Sequence, residues 1–132
     1  TNWSQWSGGG YARLSGMTQS SGVFTFPETG IYYIDWQAEY RYSGESRYNE
    51  VKIQVTTDNN SYNDRAYGYA SISTSGGTGI ANGRTSTLID VTDTANVKVK
   101  FGASTENSSA TLQSSTNNYL QTRAIFMKVA NT

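Results

Sequence analysis

The sequence predicts an all-β fold of antiparallel strands, and three observations carry that prediction. Apolar residues recur at every second position along most of the chain. Turn-forming residues interrupt these runs at intervals of about 8–12 residues, the spacing of a sandwich or barrel. No segment combines an apolar stripe at three-four spacing with a helix cap.

The alternation is read directly. Tyr32, Ile34, Trp36, Ala38 and Tyr40 alternate with Tyr33, Asp35, Gln37 and Glu39. Val51, Ile53 and Val55 alternate with Lys52, Gln54 and Thr56, and Val97, Val99 and Phe101 with Lys98 and Lys100. Ile125, Met127 and Val129 alternate with Ala124, Phe126 and Lys128. Successive side chains of a strand point to opposite faces, so each set lays one apolar row on one side of a sheet with a wet face opposite.

Turn chemistry sets the boundaries. Pro27-Glu28-Thr29-Gly30 is a tight turn, and Asp58-Asn59-Asn60-Ser61 closes a strand. Ser75 to Gly79 reads as a loop, Ala81-Asn82-Gly83 as a turn, and Asp93-Thr94 as the turn of a hairpin. The resulting strands are 11–14, 22–26, 31–42, 49–57, 64–73, 84–91, 96–104, 109–113 and 119–129. Residues 1–10 read as an N-terminal arm and 11–132 as one domain. Trp3 and Trp6 give the arm too much apolar surface to stay in water, so they are expected to dock, on this domain or on a neighbour. The first residue is Thr1 rather than methionine, which fits a processed whole chain and a piece of a longer one alike.

Composition narrows the function classes. The 132 residues carry ten basic and ten acidic side chains, with no run of like charge. Nucleic-acid binding needs a basic stripe, so it is not expected. No apolar run reaches the roughly 20 residues of a membrane span, and no membrane insertion is expected. Histidine and cysteine are both absent. Their absence removes the commonest general base, the usual nucleophile systems and most zinc or copper sites. Asp35 and Glu39 share a face but stand about 13 Å apart at about 3.3 Å per residue, beyond the roughly 5–9.5 Å of a glycosidase pair. The segment from Asp58 to Asp64 is rich in oxygen ligands but lacks calcium-loop spacing, and an Asx turn accounts for it. No catalytic residue, cofactor or metal is therefore assigned.

The stretch Gly22-Val23-Phe24-Thr25-Phe26-Pro27-Glu28-Thr29-Gly30-Ile31-Tyr32-Tyr33-Ile34 resembles the hallmark of the tumour necrosis factor and complement globular-head superfamily. There, a Gly-x-Phe-Thr strand leads through a proline turn into a Gly-Ile-Tyr strand. Leu88 to Val99 and Tyr119 to Val129 resemble the family's late strands. They depart from it by lacking glycine in the Asp93 turn and around Arg123-Ala124. Gln37 to Tyr42, Ser46 to Glu50 and Val55 to Tyr62 are similar to small structural proteins of marine tailed bacteriophages.

The resemblance implies an antiparallel jelly-roll sandwich that assembles as a homotrimer. Tyr32, Tyr33, Tyr40, Tyr42, Tyr119 and Phe126 are the expected interface residues, since tyrosine suits partly wet interfaces. It also implies a non-enzymatic virion protein, located at the virion surface and decorating or cementing the capsid. Its partners would be copies of itself and the major capsid protein or another virion protein, with Trp3 and Trp6 as the docking arm. Two alternatives stand beside this reading. One is the tip of a phage fibre that binds a receptor or a host-surface glycan through loops carrying Asp58, Asn59, Asn60, Tyr62 and Asn82. The other is an extracellular ligand-recognition module.

Overall fold

The computed structural model describes residue 3 and residues 16–115 and 120–132. Among the described residues there are nine strands: β1 (Thr18–Ser20), β2 (Val23–Thr25), β3 (Gly30–Tyr42), β4 (Ser46–Thr56), β5 (Asn63–Ile72), β6 (Gly79–Val91), β7 (Lys98–Ser104), β8 (Thr111–Gln113) and β9 (Arg123–Ala130). They form two antiparallel sheets. The larger has the order β1-β2-β7-β4-β5. In the smaller, β6 pairs with one edge of β3, while β8 and β9 share the other edge at different stretches.

Taken along the chain, the strand pairing is nested. β4 pairs with β5, β3 with β6 and β2 with β7, all antiparallel. The two sheets pack as a sandwich, and the apolar rows face each other between them. Tyr32, Ile34, Trp36, Ala38 and Tyr40 of β3 meet Val51, Ile53 and Val55 of β4, Val99 of β7 and Ile89 and Val91 of β6. Phe24 and Phe26 complete the core. The alternation read from the sequence therefore assigns these rows correctly.

Local chemistry fixes the corners. The β1–β2 hairpin turns on Ser21 and Gly22, with φ of 50° and 81°. Positive φ at both positions matches the twist of a two-residue hairpin loop, and glycine takes it without strain. The sequence reading started a strand at Gly22 and missed this hairpin; its expected strand at 11–14 lies outside the described residues. At the β4–β5 turn, Asp58 Oδ1 accepts hydrogen bonds from Thr56 Oγ1 (2.7 Å) and from the backbone N–H groups of Asn60 (2.9 Å) and Ser61 (2.7 Å). These bonds, Thr56 foremost, hold the Asp58 carboxyl down at about 2. Buried Asn49 ties the start of β4 to β5 by donating to the carbonyls of Ser46 (2.9 Å) and Ala70 (3.0 Å).

Two turn expectations are corrected. Asn82-Gly83 is not a turn but the middle of β6, which pairs with β3 along its whole length, from Gly30↔Val91 to Tyr42↔Gly79. A thirteen-residue partner strand outweighs a local Asn-Gly preference. Asp93-Thr94 is not a hairpin turn, because β6 and β7 belong to different sheets. Asp93 instead organises the crossing: its carboxylate accepts from Ala95 N (2.7 Å) and Asn96 Nδ2 (2.6 Å), and its carbonyl from Val97 N (2.8 Å).

β5 of the larger sheet packs against β6 of the smaller one. A Cβ placed on Gly68 would lie 2.1 Å from the carbonyl oxygen of Arg84, so only glycine fits at this seam. At the other end, Trp3 enters the sandwich. Its ring lies 5.0 Å from Phe24, 5.4 Å from Trp36 and 5.7 Å from Phe101, centre to centre. Of the two docking places expected for Trp3, its own domain or a neighbour, the ring takes the first, where it gains aromatic contacts. Trp6 lies outside the described residues.

Candidate functional site

The parity of β9 decides where the site lies. Ala124 and Phe126 face the core, and Phe126 packs 5.4 Å from Phe24 and 5.7 Å from Phe101. The longer apolar row, Ile125, Met127 and Val129, therefore points outward, off the small sheet. The register sets Tyr33 of β3 between Leu88 of β6 and Met127 of β9. Leu88 is 62% and Met127 54% exposed. Ile125, one step along, is also exposed, and Ile31 flanks the row on the other side. A band of large apolar side chains across three strands is a contact surface in form, since isolated exposed residues are ordinary but contiguous ones are costly in water.

Beside the band sits a buried charge. Asp35 is 1% exposed, and its Oδ1 accepts from Arg84 Nε at 2.6 Å. The hydrogen bond and charge of Asp35 hold Arg84 still more firmly protonated than usual. The other carboxylate oxygen, Oδ2, is buried with no hydrogen-bond partner among the described residues. A buried acceptor left unpaired is unfavourable, so it marks a place where a donor from outside would be stabilising. Beyond Asp35 the face turns polar. Gln37 Nε2 donates to Asn82 Oδ1 (3.3 Å), Gln121 Nε2 to Glu39 Oε1 (3.1 Å), and Arg41 pairs with Glu39 at 2.8 Å. Asp35 and Glu39 are thus each engaged with a cation of their own.

The expected interface residues separate accordingly. Tyr33 lies on this outer face. Tyr32 and Tyr40 do not: they are buried in their own core, where Tyr32 Oη donates to the Glu28 carbonyl (3.1 Å) and Tyr40 Oη to the Glu50 carbonyl. Even-numbered positions of β3 point inward, which the tyrosines on both faces concealed. Phe126 is likewise an inward residue, and Tyr42 packs against the core's edge. Tyr119 lies outside the described residues. Leu88, Ile125 and Met127 were missed as site residues; the signal available was that both rows of β9 carry large apolar side chains.

The expected recognition loops also separate. Asp58 is occupied by its own turn, and Asn59 takes φ of 56° within it. Tyr62 lies under Lys100, whose Nζ stands 3.8 Å from the ring centre. Asn82 is corrected from loop to strand and lies on the polar half of the small sheet's face. Among the described residues no group of three or more acidic side chains gathers as a metal site. Comparison of the chain with family models and with curated proteins returns no match.

Proposed function

We propose that the protein is a non-enzymatic virion structural protein, a jelly-roll homotrimer of the tumour necrosis factor type that decorates or cements the capsid of a tailed phage. The observation that carries the assembly is the band of half-buried Tyr33 and exposed Leu88, Ile125 and Met127 beside the half-satisfied Asp35. Three copies packed through this face would bury the band and bring donors to Asp35. The nested pairs β4·β5, β3·β6 and β2·β7 support the jelly roll, because that fold is a rolled antiparallel ribbon. The Gly22 to Ile34 motif and the phage-like segments support the setting.

Light scattering tests the assembly. The expected mass is three times 14.4 kDa, and Leu88→Arg brings it down to 14.4 kDa. A wild-type mass of one chain at micromolar concentration refutes the trimer. The capsid role is tested on particles lacking the protein, which are expected to lose resistance to heat and low salt.

A further inference from the structure

The outer face of the larger sheet is built differently, and it carries a second site. Tyr67 and Tyr69 of β5 stand 48% and 60% exposed. Their rings are parallel within 4°, with centres 6.4 Å apart. Both hydroxyls are anchored: Tyr67 Oη donates to Asp64 Oδ2, and Tyr69 Oη donates to Glu50 Oε2 at 3.2 Å. Between the two carboxylates lies Lys52, whose Nζ is 3.8 Å from Glu50 and 3.7 Å from Asp64. Gln54 Nε2 donates to Asp64 Oδ1 at 2.7 Å.

We propose that Tyr67, Tyr69, Glu50, Lys52, Gln54 and Asp64 form a binding platform for an uncharged polysaccharide, with the two rings stacking on the C–H faces of pyranose units. Three features select this ligand. First, the rings are held before any ligand arrives, so binding does not have to freeze them. Second, the charge fits a neutral partner. Two carboxylates repel an anion, and Lys52 already fills the seat a cation would take. Third, the polar groups keep spare capacity. Each carboxylate oxygen can accept a further bond, and the Lys52 ammonium can donate, which matches hydroxyls that both give and take protons. No aliphatic side chain stands among these six residues, unlike the band on the small sheet, where a protein surface is expected.

The hydrogen bond from Tyr67 to Asp64 pushes the phenol up to about 12 and draws the Asp64 carboxyl down. The anchoring bond therefore persists across the neutral range.

The platform lies within one chain and does not rest on the trimer reading. The test uses the full chain in isothermal titration against neutral hexasaccharides of β-linked glucose, mannose and galactose. At least one is expected to bind. Tyr67→Ala and Tyr69→Ala are each expected to weaken it roughly tenfold, the loss of one stacked ring. Tyr69→Phe keeps the ring and is expected to stay within about threefold. Leu88→Arg, which disrupts assembly, is expected to leave the affinity per site unchanged. The proposal is overturned if no sugar binds more tightly than about 10 mM, or if binding survives the double alanine variant. Preference for an anionic polysaccharide such as heparin over all the neutral ones also overturns it.

Discussion

The two outer faces of this sandwich are built on the same pleat but handle exposed bulk in opposite ways. On the small sheet, Leu88 and Met127 flank Tyr33 without any polar contact of their own, and a buried carboxylate oxygen nearby goes unpaired. On the large sheet, Tyr67 and Tyr69 are tied by their hydroxyls into a connected set of charges. A flat aliphatic surface gains chiefly by leaving water, so it favours a large, dry partner. A fixed aromatic surface ringed by hydrogen-bonding groups can hold something small and wet. The difference lies in what accompanies the apolar atoms, not in how many are exposed.

The sharpest way to break this contrast is by charge. If the proposed trimer forms, Leu88→Arg is expected to give single chains in light scattering, whereas Tyr69→Arg on the opposite face leaves the mass unchanged. Stability of the separated Leu88→Arg chain in urea should match that of any dissociated wild type within about 0.5 kcal/mol, because the residue contributes little to its own core. If both substitutions dissociate the protein, the two faces are not distinct in function.

Next in size is the seam that holds the two sheets together. Gly68→Ala places a methyl group against the Arg84 backbone and is expected to cost about 2 kcal/mol in urea unfolding. Gly76→Ala, where a Cβ meets nothing, provides the control.

Tyr40 contrasts with the exposed tyrosines as a buried one. Burial, then the nearby Glu50 charge, push its phenol up from 10.0 to about 12. A raised pKa means that the folded state favours the protonated phenol. This contribution is complete below pH 10 and is lost as pH rises through about 12. Tyr40→Phe is expected to cost about 1 kcal/mol at neutral pH and to flatten the alkaline limb of stability against pH.

The smallest expected effect is at Asp58. Its carboxyl is lowered from 3.8 to about 2 by Thr56 and by the turn N–H groups, so the ionised form is favoured in the fold. The benefit is present above the ordinary value and disappears as pH falls from 3.8 towards about 2. Asp58→Asn should show a shallower acid limb in circular dichroism, with little change at pH 7.

Much of the sandwich was legible because burial enforces period two. The inward rows of β3, β4 and β7 are those the alternation marks, with Val55 and Val99 cross-strand partners in the core. Legibility failed where two rules competed. Asn82-Gly83 carries a strong local turn signal, yet β3 demands a partner along its full length. Asp93 reads as a hairpin because both neighbouring strands are strong, but nothing local records that they belong to different sheets. The candidate site was concealed for a related reason. When both rows of a strand are apolar, as in β9, alternation cannot say which row is inside, and Phe126 rather than Met127 wins because the aromatic cluster of Phe24 and Phe101 has room for a ring. The tyrosine pair on β5 sat in plain alternation, but its anchoring to Glu50 and Asp64 depends on register across strands.

The nested pairing also predicts an order in time. β4 and β5 are joined by a short turn, so their pairing closes a small loop at little entropic cost. Once they meet, the ends of β3 and β6 are already near each other, and the pairing of β3 with β6 in turn brings β2 to β7. Each outer pair thus closes a loop that the inner one has shortened, and distant partners such as Phe24 and Val99 need not find each other unaided. On this account the Asp58 turn belongs to the folding nucleus, and Trp3 joins late. In stopped-flow experiments, Asp58→Ala should mainly slow folding, while Trp3→Ala should mainly hasten unfolding.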